Sequence, residues 1–423
     1  MAELCHLSRY NHYSDPVRSL VRASLVFTRK PEHGTYSKPT VWRELQQRAF
    51  GSSFVDYFET LVLPFVSMTI AWGTIGRDGK LIDPELQLDR YFNGTQVDPA
   101  AGSAFLRSLT MDRDQFRAVL QRHVRKDGLP HAPIAFIKAP LVDVGDGWAI
   151  ASSPWAVREY LRGGIWSKFL KASKEMDGPD EGPQIFTGDF GIAFELTCRD
   201  LAREAKAHPK FIGALELSKA PGTQDEIEDV VFREGDSAAL FSAKARLMKE
   251  PVARQAIERS KVIEWYYEFF FDKKTVKKGK KFRVGVLRLL DLKVDALLAS
   301  SSPPSRIFPV LLSYDHLGEN AALYEWLDEQ CKKLNLLQHP TVQPLTLMEM
   351  DDYEALLKLA ADGRSIIDLL AQKVGPKWRL GRMTSFVHEL GKGVPMRLPS
   401  FETHFQQITD ATSMRLFGQK PQT

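Results

Sequence analysis

The chain has 423 residues, 43% hydrophobic and 26% charged, and its 57 Lys and Arg barely outnumber its 53 Asp and Glu, for a net charge of +4. That composition fits a globular protein of two or three domains and excludes a collagen-like, disulfide-scaffolded or disordered chain. No apolar run is long enough for a membrane span: the best candidate, 54–72, is interrupted by Asp56, Glu59 and Pro64, so no membrane partner is expected.

The start, MAELCHLSRYNHYSD, has no apolar region behind a basic end, so no signal peptide is expected. Cys5, Cys198 and Cys331 are odd in number and far apart, which suits a reducing, cytoplasmic location and gives no zinc-ligand spacing. Segment 17–28 reads as strand or short helix, 40–49 as a helix capped by Thr40, and 53–65 as a helix with Phe54, Val55, Phe58, Leu61 and Val62 at helical spacing. Residues 72–99 carry turn chemistry. A helix is expected over 114–125, strands over 134–143 and 148–151 about Gly145-Asp146-Gly147, and helices over 153–161 and 165–176. The stretch DGPDEGP, 177–183, reads as a domain boundary.

Beyond it the pattern changes. A helix is expected over 188–207, strands over 211–218, 227–232 and 238–243, and a long helix over 250–271 with an aromatic end. Strands at 283–290 and 306–314, a helix at 320–336 and a strand at 342–347 follow, with an extra hairpin near 272–300. Helices at 353–361 and 365–373 lead into a basic and aromatic tail. The expected division is an α+β N-terminal domain (1–185), an α/β domain with a mixed sheet flanked by helices (186–348), and a mainly helical extension (349–423).

Strands 227–232 and 238–243 frame the polar turn Arg233-Glu234-Gly235-Asp236, with Asp229 on the first strand and Lys244 directly after the second. A carboxylate and an ammonium on neighbouring strands can converge, and can then hold a divalent metal and a water for phosphodiester hydrolysis. Lys273, Lys274, Lys277, Lys278, Lys280, Lys281 and Arg283 crowd one short segment. Such a run reads either as a solvated loop or as a phosphate contact whose affinity falls with salt.

This order of elements, with Asp229 and Lys244 in place, resembles the core of the PD-(D/E)XK nuclease superfamily over roughly 188–348. The resemblance implies a restriction-endonuclease-like fold. It places a glutamate, Glu195, on the preceding helix, an acid, Asp229, on the second strand, and a catalytic lysine, Lys244, closing a [D/E]-x-K tripeptide on the third. Here the tripeptide is Ser242-Ala243-Lys244, and a hydroxyl is a poorer metal ligand than a carboxylate. Some restriction endonucleases of this superfamily take the missing carboxylate from the next helix. Glu258 is the candidate for that role, with Glu250 a second.

The implied function is a Mg²⁺- or Mn²⁺-dependent endonuclease, with Asp229, Glu258 and Glu195 on the metal and Lys244 at the attacking water. Its partner would be nucleic acid, DNA in preference to RNA, and the resemblance suggests restriction or antiviral defence, as a homo-oligomer or beside other subunits. The alternative is an inert nucleic-acid-binding or assembly subunit on the same fold, which Ser242 keeps open.

Overall fold

Short polar side chains open several helices. In the computed structural model, which describes residues 16–70, 85–123, 138–151, 160–218, 229–245, 259–271, 273–274, 283–314, 317, 319–391 and 397–418, Ser53 accepts from the Asp56 N–H, Asp98 from Ala101, Asn320 from Leu323 and Ser365 from Asp368. Each satisfies an amide that the first turn leaves without an intrahelical partner. The fold is mixed α/β. The chain divides into two compact units, one of Phe190–Ser400 and one of Tyr13–Asp189 with Phe401–Thr423.

The second of these begins with α1 (Pro16–Thr28), where a strand was equally expected, and α2 (Pro39–Phe50). Next come α3 (Phe54–Tyr57), a π-helical turn (Phe58–Val62) and α4 (Leu63–Ile70). Four strands make a small mixed sheet: β1 (Glu85–Gln87), β2 (Thr110–Met111), β3 (Leu141–Gly145) and β4 (Trp148–Ala151), in the order β1-β4-β3-β2. Helices α5 (Pro99–Ser108) and α6 (Arg113–His123) flank β2, and α7 (Ile165–Asp177) follows. The core is aromatic: Phe169 stacks on Phe27 and Trp42 at centroid distances of 5.8 and 5.6 Å and meets Phe50 edge-on at 4.8 Å.

The expected boundary at 177–183 is instead a helix–turn–helix. Gly178 turns the chain at φ 90°, and α8 (Glu181–Ala207) starts at once. A Cβ on Gly182 would stand 2.0 Å from the Ser173 carbonyl oxygen, so glycine is there to let the two helices approach. The units divide inside α8, after Asp189. Nor do residues 349–423 group by themselves: those up to Ser400 belong with the larger sheet and the rest with the first helices.

In the unit Phe190–Ser400 five strands carry the fold: β5 (Ala214–Ser218), β6 (Asp229–Glu234), β7 (Ser237–Lys244), then β10 (Arg306–Ser313) and β11 (Thr346–Glu349), ordered β11-β10-β7-β6-β5. Strands β5, β6 and β7 form an antiparallel meander, while β10 is parallel to β7 and β11 to β10. The β6–β7 turn is only Gly235-Asp236, tighter than expected. Gly235 takes φ 60° in first place, as a two-residue hairpin turn requires. Glu234, just before it, accepts hydrogen bonds from the Ile366 N–H (2.8 Å) and from Ser365. Its charge thereby sits at the N-terminus of a later helix, where the helix dipole favours an anion.

Between β7 and β10 lie α9 (Arg259–Phe270), the two-residue strands β8 (Lys273–Lys274) and β9 (Arg283–Val284), and α10 (Val286–Leu298). The strand expected over 283–290 is therefore mostly helix, and among the described residues the expected hairpin shows two residue pairs. The reason is periodicity: Val286, Leu287, Leu290, Val294 and Leu297 are buried on one helical face. After β10 come α11 (Ala321–Leu334) and β11, which starts later than expected, Val342 making only a bridge to Ile307. Then follow α12 (Met350–Ala361), α13 (Ile366–Val374), α14 (Met383–Leu390) and α15 (Pro399–Phe417).

Strand β7 is central and buried from Ser237 to Ala243, which is why it reads as a nearly continuous apolar run. Its faces alternate. Ala238 and Leu240 join Val231, Ile307 and Leu311 in one core with Trp265, Tyr266 and Phe269 of α9 and Leu287, Leu290 and Val294 of α10. On the other face Phe241 meets Phe232 at 5.6 Å and Tyr353 of α12 at 5.2 Å.

Candidate functional site

The C-terminal end of β7 collects charge from both sides of the sheet. Lys244 is the last residue of the strand and lies level with Ser313 of β10. Its ammonium donates to Glu195 Oε1 at 3.0 Å, and each side chain is only 17% exposed. Glu195 stands on α8, which covers the Phe241 face here: Glu195 and Cys198 line a small crevice with Val230, Phe241, Ala243, Leu312 and Tyr353. At about 10 Å³ the crevice has room for one water at most. Tyr353 is fully buried, and its hydroxyl donates to the Cys198 carbonyl at 3.3 Å. Burial first, and the nearby Cys198 second, push its phenol well above the usual range, so it is only a neutral donor beside Glu195.

Two residues back along β7, Ser242 shares with Ala238 and Leu240 the face opposite Phe241. It is fully buried. A buried hydroxyl needs a hydrogen-bond partner. Ser242 has one in Lys293 of α10, whose ammonium lies 3.4 Å from its Oγ and is itself 2% exposed. The antiparallel register, in which Val230 faces Phe241, brings the backbone of Asp229 level with Ser242.

Of the expected catalytic residues the structure thus brings Glu195 and Lys244 into contact and sets the backbone of Asp229 beside Ser242. Glu258 and Glu250 lie outside the described residues, as do Lys277, Lys278, Lys280 and Lys281. Lys273 and Lys274 pair with Val284 and Arg283 across β8 and β9, so the basic segment at least starts and ends as paired strands.

Among the described residues no group of three His, Cys, Asp or Glu converges. The described side-chain contacts at the end of β7 set a carboxylate against one ammonium and a hydroxyl against another. Mg²⁺ and Mn²⁺ take oxygen ligands, commonly carboxylate. This described set does not fit such an ion.

No protein-family model, curated protein or solved structure matches this chain.

Lys293 is the residue that sequence reasoning missed. A signal was present: Leu290, Val294 and Leu297 mark a buried helical face, and position 293 falls inside it. Reading 283–290 as a strand ended the pattern before it reached the lysine.

Proposed function

We propose that the unit Phe190–Ser400 is a nuclease of the PD-(D/E)XK type that acts on nucleic-acid phosphodiesters, DNA in preference to RNA. Support comes from the antiparallel meander β5–β7 continued by parallel β10 and β11, with helices on both faces. The observation that carries the reading is the contact of Lys244 with Glu195 at the end of β7. A part-buried ammonium held there orients an attacking water and offsets charge developing on the phosphoryl group. Glu195 fixes where that ammonium sits. The basic segment that includes Lys277, Lys278, Lys280 and Lys281 would follow the substrate backbone.

Supercoiled plasmid incubated in Mg²⁺ or Mn²⁺ tests this, with Lys244→Ala and Asp229→Ala beside the wild type. Nicking by the wild type and its loss in both variants is expected. Equal cleavage by all three refutes the assigned site. Replacing Lys277, Lys278, Lys280 and Lys281 by alanine should weaken duplex binding and lower the salt slope by about 3–4; an unchanged slope removes the segment from the interface.

Ser242 with Lys293 favours a second reading, an inert nucleic-acid-binding or assembly subunit on the same fold. It predicts duplex binding in EDTA with no cleavage in either metal.

A further inference from the structure

The unit Tyr13–Asp189 holds a lysine without a counter-ion. On α7 the buried face is Ile165, Trp166, Phe169, Ala172 and Ser173. Lys168 lies at its margin, one turn after Ile165 and one turn before Ala172. A lysine in such a place commonly lays its stem along the apolar surface and sends its ammonium out to water. Here the residue is half-buried, and the ammonium stays over the Tyr57 ring, 5.6 Å from its centroid. That ring is only 4% exposed and packs against Phe50 at 4.6 Å.

The charge on this amine is not balanced. No carboxylate among the described residues pairs with Lys168, and the charged group that acts on it is another ammonium, Lys171, one turn further along α7. Lys171 itself turns to solvent and to Glu175, at 3.9 Å. Tyr57 supplies no negative charge either. Burial, and then Tyr160, whose hydroxyl lies 2.6 Å from its own, push its phenol well above the usual range. The ring face attracts the ammonium and fixes where it sits. Burial first and Lys171 second nevertheless hold the amine below the ordinary lysine range. A desolvated lysine beside a second cation carries a larger share of neutral, nucleophilic amine than an exposed one.

We propose that Lys168 is a modification site for small aldehydes, which condense with its amine to an imine. The nitrogen lone pair attacks the carbonyl carbon, and one nitrogen proton passes to the oxygen, giving a carbinolamine. The hydroxyl then leaves as water with the second nitrogen proton, and the carbon–nitrogen double bond forms. Nothing is oxidised or reduced, and no further reactant is needed. Lys168 keeps part of its surface in solvent, so a molecule the size of formaldehyde needs no pocket to reach it. This site is independent of the nuclease reading.

The test treats the full chain with isotopically labelled formaldehyde and cyanoborohydride, which reduces the imine to a stable methylamine. Peptide mass spectrometry then gives the rate at each lysine, and Lys168→Arg confirms the assigned peptide. The reference is Lys174, exposed on the same helix. The quotient of the Lys168 and Lys174 rates should be about threefold or more higher at pH 7 than near pH 10.5, where the exposed amines also become neutral. Steric cover lowers the Lys168 rate alike at both pH values, so it does not move this comparison. Lys171→Glu, an exposed substitution that puts an opposite charge where a like one stood, should lower the quotient at pH 7 by about threefold. If the chain unfolds at the higher pH, the comparison with Lys171→Glu decides alone. A quotient that stays constant from pH 7 to 10.5 in the folded chain overturns the proposal. So does a quotient at pH 7 that Lys171→Glu leaves at its wild-type value.

Discussion

Breaking the Glu195–Lys244 pair should be costly out of proportion to the hydrogen bond between them. At 3.0 Å, with each side chain 17% exposed, the pair lies between two regimes. Exposed ion pairs contribute about 0.2–1 kcal/mol, whereas removing one partner of a buried pair costs about 3–5 kcal/mol because the other charge is stranded. We expect Lys244→Met or Glu195→Gln alone to destabilise the unit by about 2 kcal/mol. For a unit of this size that lowers the melting temperature by about 4–8 °C. The double variant should lose less than the sum of the singles, leaving a coupling of about 1–2 kcal/mol. Urea unfolding of the four proteins measures it, and repetition at high salt should change it little, since the pair is largely shielded. A coupling under about 0.3 kcal/mol, within the usual error of additivity, would refute the claim that the two side chains hold each other.

Two further outcomes follow from other parts of the chain. A Cβ on Gly285, just before α10, would stand 2.5 Å from the Phe270 carbonyl oxygen and the Phe271 nitrogen, both backbone. Gly285→Ala should therefore cost about 1–3 kcal/mol, measured by urea unfolding; a change under about 0.5 kcal/mol, the usual range for surface substitutions, would show that α10 moves freely. In the other unit, burial holds the His404 imidazole below its ordinary 6.5, beside Ser24 at 3.0 Å. Below pH 6.5 the unfolded chain takes up the proton first, so this contribution is complete above that pH and is lost as pH falls toward the folded value. Melting curves from pH 7.5 to 5 should show a decline that His404→Gln flattens; the same decline in both proteins assigns it to other groups.

The hairpin and the strands and helices after it were legible as elements where each has a strong local period, though not the parallel pairing of β10 and β11. Strand β7 is a nearly continuous apolar run between turn residues, and α11 announces itself with an Asn cap. What misled was context. DGPDEGP has the composition of a linker, yet Gly182 is needed for close helix packing and Pro183 sits in a first turn, where it removes no hydrogen bond. Arg283 and Val284 do form a strand, and the apolar residues after them belong to a helix that strand propensity alone does not reveal. At the site, Glu195 and Lys244 lie in elements whose types were read correctly, so their meeting was foreseeable. Lys293 is 51 positions from Ser242, and only the packing of α10 on β7 joins them.

The parallel pairing of β10 with β7 has a consequence for folding order. The meander β5–β7 closes short loops, but β10 can join only after the crossover 245–305 has been gathered in, and closing about 60 residues costs entropy before any contact is made. Lys293 travels inside that crossover. A nascent hairpin thus carries Ser242 before its buried partner on α10 is in place, and the hydroxyl that β7 turns into the core gains the Lys293 hydrogen bond only when the crossover packs onto the sheet.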